Sequence, residues 1–139
     1  MESDVGVFTG LTHAEAQERF PDVAREFGAT RDLDLIDGAE THVDRTARAQ
    51  RVVDRLIREH SNGDQVLVFT HGGIMTRVVA QLLGTERLWF LDIRNTAIFE
   101  FSIDVDAWHA QGQARTNMDL WRIVRFNDAS HLEEVCDAD

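Results

Sequence analysis

Residues 65–74 read QVLVFTHGGI, and they give the clearest indication of the fold class. Its first half is a short, continuous apolar run rich in β-branched residues, which is typical of a buried strand in a parallel sheet. The run ends at His71, and two glycines, Gly72 and Gly73, open the next segment. Apolar residues then recur at helical spacing as far as Gly84. A strand, a tight glycine turn and a helix in this order predict an α/β fold.

The glycine turn after the predicted strand is the first candidate site. Ligands of open α/β sheets bind beyond the carboxyl ends of the strands. Backbone N–H groups at a helix start point outward without partners, and the helix dipole favours negative charge there. Gly72 and Gly73 would let an anion approach closely, and His71 could bind a phosphoryl oxygen. We therefore predict a phosphate site at residues 71–73, with a purely helix-capping or packing role of His71 as the alternative.

Two helices are predicted upstream of this site. Thr12 and Glu15 have the spacing of a capping box, so a helix should begin at Thr12, with Pro21 as a complication and Gly28 as its end. A second helix is predicted from about residue 41 to residue 60. Its apolar face is expected to consist of Val43, Ala47, Val52, Val53, Leu56 and Ile57.

The opposite face of the second helix carries five arginines, Arg45, Arg48, Arg51, Arg55 and Arg58. They could form a basic stripe for an anionic partner. However, Asp44 and Asp54 each precede one of these arginines by four residues, which favours a solvated face supported by ion pairs.

Two further strands are predicted downstream, at residues 96–103 and 120–126, with a long polar loop at residues 104–119 between them. Neither an internal repeat nor a dividing linker is visible. The length of 139 residues fits one domain.

The composition excludes several classes of function. The chain has 25 acidic against 14 basic residues and a net charge of -11, so non-specific binding to nucleic acid is not expected. Every basic residue is Arg, which fits either a salt-loving cytoplasm or a genome rich in G and C. The single Cys136 can form no internal disulfide, and neither a signal peptide nor a membrane-spanning stretch is visible. These observations predict a soluble, cytoplasmic protein without a membrane partner.

Metal and serine-hydrolase chemistry are also not expected. The histidines are scattered without metal-ligand spacing, and no Gly-x-Ser-x-Gly elbow is present. Arg77 and Arg94 could contact a substrate anion, with surface salt bridges as the alternative role.

An ordered set of segments resembles one family. Residues 66–74 look like the second-histidine motif of the histidine phosphatase superfamily, the phosphoglycerate mutase-like proteins. Residues 38–41, GAET, followed by Arg48, resemble the family's Gly-Glu-Ser/Thr segment with its later Arg. Glu2 stands where the family has its acidic catalytic residue, before Gly6 and Gly10.

The resemblance continues to the end of the predicted sheet. Asn95, Trp121 and residues 127–132 match the closing pattern of the family. The resemblance implies a three-layer α/β/α phosphoglycerate mutase-like fold over residues 1–132, with an acidic tail at 133–139.

The resemblance also implies a mechanism. His71 and Glu2 would be catalytic: His71 would hold the transferring phosphoryl group, and Glu2 would protonate the leaving oxygen. Gly72 and Gly73 would bind the substrate, with Gly72 offering its backbone N–H to the phosphate. No metal and no cofactor are implied. The expected partner is phosphate or a small phosphorylated molecule, and hydrolysis of a phosphate monoester is favoured over mutase activity.

The sequence departs from the family in one respect: it contains no Arg-His-Gly motif, which carries the nucleophilic histidine. That motif and the first strand would lie before Met1, so we expect a fold that is incomplete at its N-terminus and inactive by itself. Three interpretations stay open: a truncated phosphatase, a non-catalytic phosphate-binding or interaction module, and a half-enzyme completed by another chain. Homo-oligomerisation is a further open alternative.

Overall fold

The structure, a computed structural model, describes residues 2–88, 91–109 and 120–132. The chain divides into two compact units, unit 1 with Met1–Val53 and Phe69–Leu88, and unit 2 with Asp54–Val68 and Trp89–Asp139. The elements in chain order are α1 (His13–Arg19), α2 (Pro21–Thr30), α3 (His42–Glu59), α4 (Gly72–Leu83), β1 (Ile98–Ile103), α5 (Val105–His109) and β2 (Trp121–Asp128), with short 3₁₀ turns at Gly6–Phe8, Leu33–Leu35 and Ser130–Leu132.

The first two helices of unit 1 form a pair whose ends are set by local chemistry. The predicted capping box at the start of α1 is confirmed: the Thr12 hydroxyl accepts from the backbone N–H of Glu15, and the Glu15 carboxylate accepts from that of Thr12. Pro21 occupies the first turn of α2, where its missing N–H costs nothing. The predicted end at Gly28 is wrong, because α2 continues to Thr30 and ends where Arg31 adopts a left-handed conformation.

The long helix α3 confirms the predicted bounds and part of the predicted apolar face, since Val53 and Ile57 are buried. Val43 is 71% exposed, and Ala47 is also exposed. The buried stripe instead runs through Arg45, Ala49, Val53 and Ile57, which recur every four residues. The prediction of a solvated arginine face is therefore wrong for Arg45, which is 8% exposed.

Helix α4 supplies much of the core of unit 1 and confirms its predicted end. Gly84 adopts a left-handed conformation and closes the last turn, with the backbone N–H groups of Gly84 and Thr85 donating to carbonyls of the final turn. The buried apolar residues of unit 1 are Ala16, Ala24, Leu33, Ile36, Ala49, Val53, Ile74, Val79, Ala80 and Leu82.

Unit 2 contains an antiparallel pair formed by β1 and β2. Phe99 packs edge-on against Phe126 with ring centroids 5.0 Å apart, and the Glu100 and Arg125 side chains pair across the strands at 2.6 Å. The segment predicted as a loop between them contains the short helix α5, and residues 110–119 lie outside the described part. So does the acidic tail at 133–139.

The segment 65–70, predicted as a buried strand, is neither paired nor buried. No strand is assigned there, and all six residues are exposed. A strand needs a neighbour for its backbone groups, and among the described residues none hydrogen-bonds to this segment. Helices and a two-stranded sheet make the chain mixed α/β, whereas the three-layer arrangement stays a prediction.

Candidate functional site

Gly6 determines where the N-terminal segment of unit 1 lies. Its φ of +52° suits glycine, and a Cβ atom there would come within 2.1 Å of the Asp37 carbonyl oxygen. This close approach lets Val5 form a bridge with Ala39. The backbone N–H of Glu40 donates to the Asp4 carbonyl at 3.0 Å. The first residues are thereby held alongside residues 37–40.

This placement brings Glu2 to the start of α4, more than 70 positions further along the chain. One carboxylate oxygen of Glu2 accepts from the backbone N–H of Ile74 at 3.2 Å, and the other accepts from that of Gly73 at 3.4 Å. These are two of the N–H groups that a helix start leaves without intrahelical partners. A Cβ atom on Gly73 would lie 2.7 Å from the Glu2 carboxylate. Glycine at position 73 therefore leaves room for this contact.

A second contact holds the backbone of Glu2. The Arg48 guanidinium donates to the Glu2 carbonyl oxygen at 2.5 Å and makes a two-pronged pair with Glu40, at 2.8 and 2.6 Å. The hydrogen bond from Arg48 holds the pKa of the Glu40 carboxyl below its usual value, and Glu40 in turn raises the pKa of Arg48. The GAET segment and its later Arg thus form a clamp on the segment that carries Glu2.

His71 occupies the N-cap position of α4 and has an extended backbone, with φ of -120° and ψ of 158°. Its side chain is exposed and does not cap the helix, so the alternative of a capping side chain is wrong. In the part of the chain that the structure describes, neither the His71 ring nor the Gly72 N–H has a hydrogen-bond partner. The His71 imidazole and the Gly72 N–H, which have no partner among the described residues, therefore directly precede in the chain the two N–H groups that bind Glu2.

Arg77 was named from the sequence as a candidate anion contact, but its burial behind this helix start was not predicted. Arg77 is 7% exposed, and its guanidinium donates to the Gly73 carbonyl at 3.2 Å and lies 3.4 Å from the His42 ring. Burial lowers the pKa of Arg77, with the Arg45 charge acting in the same direction. Periodicity could have found it, since Arg77 lies between Ile74 and Ala80 on a buried face. Arg77 thus braces the first turn of α4 and is not the surface salt bridge proposed as its alternative role.

The structure brings together four of the predicted residues, Glu2, His71, Gly72 and Gly73, all in unit 1. Arg94 is exposed and lies in unit 2. An apolar pocket of about 150 Å³ lies elsewhere in unit 1, lined among others by Phe8, Leu11 and Phe27, and contains none of the four. Among the described residues no group of three or more His, Cys, Asp or Glu side chains could hold a metal ion.

This arrangement defines a class of protein. It is a mixed α/β chain in which a helix begins with His-Gly-Gly and a glutamate from a distant segment accepts hydrogen bonds from the first N–H groups of that helix. The sequence profile of the histidine phosphatase superfamily (branch 1) matches residues 1–116, and the chain belongs to this superfamily.

Two relatives make the similarity more specific. The chain is 27% identical over 135 residues to phosphoglycerate mutase-like protein 4 of Arabidopsis thaliana, covering 96% of this chain and 53% of the relative. It is 24% identical over 135 residues to the metal-independent phosphoserine phosphatase of the same plant, covering 96% of this chain and 50% of the relative. The chain thus spans about half the length of the curated relatives it matches. No solved structure matches.

In the helices that the structure describes, no stretch is both long and apolar enough to cross a membrane.

Proposed function

We propose that this chain binds the phosphoryl group of a small phosphate monoester at the start of α4 and contributes half of a phosphatase site. The observation that supports this most directly is the meeting of Glu2 with the helix start behind His71, with the Glu2 carboxylate 3.2 Å from the Ile74 nitrogen. Local sequence does not require this contact, because the two residues are far apart in the chain. The superfamily and a relative named as a phosphoserine phosphatase support the same reaction class.

Each residue has a defined role in this proposal. The Gly72 N–H, free among the described residues, donates to a phosphoryl oxygen, and the helix dipole favours the negative charge. The His71 imidazole donates to a second oxygen and, when protonated, offsets charge in the transition state. The Glu2 carboxyl, when protonated, donates its proton to the leaving oxygen of the ester, and the carboxylate that results is stabilised by the N–H groups of Gly73 and Ile74. Positioning and charge stabilisation are the larger part of phosphoryl transfer, and for this reason we assign these groups to a phosphate site.

The nucleophile is not among these groups. No histidine of the chain follows an arginine and precedes a glycine. We therefore propose that the 139 residues alone bind phosphate without turnover. The same fact favours the second candidate function, a phosphate-binding module that is not an enzyme.

Thermal unfolding in inorganic phosphate tests the binding site. A ligand at about ten times its Kd stabilises the folded state by about 1.4 kcal/mol, which raises Tm by a few degrees for a chain of this size. We expect this shift for the wild type and for His13→Ala, the matched control, which removes an exposed histidine of α1. His71→Ala should shift less. An equal shift in all three proteins would contradict the site.

An assay with p-nitrophenyl phosphate tests the absence of turnover. We expect no hydrolysis above that of buffer. Turnover that His71→Ala abolishes would show that the chain is active by itself, against this proposal. Turnover that survives His71→Ala would show that the assigned site is wrong.

A further inference from the structure

The carboxylate of Glu2 has unused hydrogen-bonding capacity at the start of α4. One of its oxygens accepts from the Ile74 N–H at 3.2 Å and the other from the Gly73 N–H at 3.4 Å. An ionised carboxylate has about four lone-pair sites and accepts hydrogen bonds only. Each Glu2 oxygen can therefore accept from one more donor, but in the ionised form it has no proton to offer to an acceptor.

The proposed phosphate site adjoins this carboxylate. The Gly72 N–H directly precedes the Gly73 N–H in the chain, and both belong to the first turn of α4. A phosphoryl oxygen that accepts from Gly72 would therefore lie close to the Glu2 oxygen that accepts from Gly73. Two such oxygens share a proton in a strong hydrogen bond, or they repel each other when both are ionised.

The charges around Glu2 leave this repulsion in place. The Arg48 guanidinium donates to the Glu2 carbonyl and pairs with Glu40, and the Arg77 guanidinium donates to the Gly73 carbonyl. Both arginines act on Glu2 through space, but these hydrogen bonds go to other groups than its carboxylate. The dipole of α4 adds about half a positive charge, which is less than the full negative charge of an ionised carboxylate.

A buried cation behind the same turn independently favours an anion there. Arg77 is 7% exposed, and its Nε–H has no hydrogen-bond partner among the described residues. Its other hydrogen bonds go to the Gly73 carbonyl and the His42 ring rather than to a carboxylate, although buried arginines are usually paired. The first turn of α4 is therefore suited to an anion, on the condition that this anion can lie beside Glu2.

We propose that Glu2 determines which oxoanions the site accepts: it admits a phosphoryl group that carries a proton and rejects an oxoanion that carries none. The proton lies between a phosphoryl oxygen and a Glu2 oxygen, in a charge-assisted hydrogen bond. Inorganic phosphate and the monoanion of a phosphate monoester carry such a proton. Sulfate and phosphate diesters are tetrahedral anions without one at pH 7. The inference rests on the proposed phosphate site and defines its ligand class.

The same hydrogen bond explains how Glu2 obtains the proton that its proposed role requires. The proton passes from the phosphoryl oxygen of the bound monoanion to the Glu2 carboxylate, which leaves the phosphoryl group as a dianion. Glu2 then donates this proton to the leaving oxygen of the ester and is a carboxylate again. A ligand without the proton leaves Glu2 unable to donate.

The test compares two anions of similar shape on the full 139-residue chain. Affinities for inorganic phosphate and for sulfate are measured by isothermal titration calorimetry at pH 7 and constant ionic strength. We expect the wild type to bind phosphate about tenfold or more tightly than sulfate. This comparison needs no variant, so it tests the inference even if a variant does not fold.

Two variants assign the selectivity to Glu2. Glu2→Gln replaces an acceptor by an amide that also donates, so the ratio of the two affinities should fall to near one. Glu18→Gln, the matched control, makes the same change at an exposed glutamate of α1 and should keep the wild-type ratio. Circular dichroism checks that both variants fold.

The ratio of affinities separates specificity from a structural role. If Glu2 only braced the helix, its loss would weaken both anions alike, so a Glu2→Gln protein that keeps the wild-type ratio would overturn the inference. Equal affinity of the wild type for both anions would also overturn it, while leaving the phosphate site in place. Binding of neither anion would refute the phosphate site itself, and the specificity proposed for it would fail with it.

Discussion

At the scale of single residues, Arg48 connects the parts of the site. Its guanidinium reaches both the Glu40 carboxylate and the Glu2 carbonyl, so one side chain of α3 fixes two segments that precede it. A two-pronged arginine–carboxylate pair is geometrically demanding, and lysine would not reproduce it. The clamp therefore contributes to the placement of Glu2 as well as to stability.

The clamp makes stability dependent on pH. The pKa of Glu40 is lowered in the folded state from a usual value of 4.5, so its contribution is fully present above pH 4.5 and is lost as the pH falls through the folded pKa. We expect Glu40→Gln to lower Tm at pH 7 and to flatten the fall of Tm below about pH 5. Melting curves from pH 7 to pH 3 measure this.

The control for the clamp is Glu18→Gln, which removes an exposed glutamate of α1 that forms no ion pair among the described residues. Its curve should follow that of the wild type. Parallel curves for Glu40→Gln and wild type would show that the clamp does not contribute to acid sensitivity.

At this scale the motifs selected Glu2 and His71, and the structure brings Glu2 to the helix start that follows His71, while the catalytic roles of both residues stay predictions. Prediction from sequence was wrong where burial depended on a distant partner, because nothing local indicated that Arg45 would be buried. Arg45 is satisfied by the Thr41 carbonyl at 3.2 Å and by Asp34, eleven positions away, at 3.5 Å. An analysis of helical periodicity places charged residues on the solvent-exposed face, and it contains no information about partners in other segments such as Asp34.

At the scale of elements, α1 depends on its cap. With seven residues it is too short to be stable by propensity alone, so the capping box and its packing with α2 must hold it. Thr12→Ala removes the hydroxyl that accepts from Glu15 and should lower the free energy of unfolding by about 1 kcal/mol. Chemical denaturation followed by circular dichroism measures the loss.

Thr46→Ala is the matched control for the cap. The Thr46 hydroxyl bonds the His42 carbonyl within α3, and alanine is the better helix former at such a position. It should therefore cost little or stabilise slightly. A loss as large as that of Thr12→Ala would mean that threonine removal as such, rather than the cap, accounts for the effect.

Element prediction succeeded for α1, α3 and α4 and for the strands β1 and β2, missed the short helix α5, and was wrong for the segment 65–70. Capping signals and periodicity located α1, α3 and α4 because both are local. The run at 65–70 has the composition of a strand, yet a strand exists only when a second one lies beside it, and composition does not supply the neighbour. The strands β1 and β2, in contrast, lie side by side and pair with each other.

At the scale of the whole molecule, the net charge of -11 opposes folding through self-repulsion. Raising the ionic strength from 0.1 to 1 M shortens the Debye length from about 10 to about 3 Å, so the repulsion is screened. We expect Tm at pH 7 to rise with NaCl over this range. Differential scanning calorimetry measures the shift.

The comparison at the isoelectric point serves as the control. Near pH 4.8 the net charge is close to zero, and the same salt series should leave Tm almost unchanged. A rise at pH 4.8 as large as that at pH 7 would attribute the effect to salting out of apolar surface rather than to charge.

The exposed apolar residues 66–69 have a consequence for how the chain behaves in concentrated solution. Short apolar stretches of high β-propensity, without proline and without charge, are the segments that stack into cross-β fibrils when exposed. Residues 65–70 have this composition and are exposed, and the net charge of -11 opposes the approach of two copies at neutral pH. Near pH 4.8 the net charge is close to zero, so we expect this segment to favour fibril formation at high protein concentration, and the melting curves at that pH are therefore recorded on dilute protein.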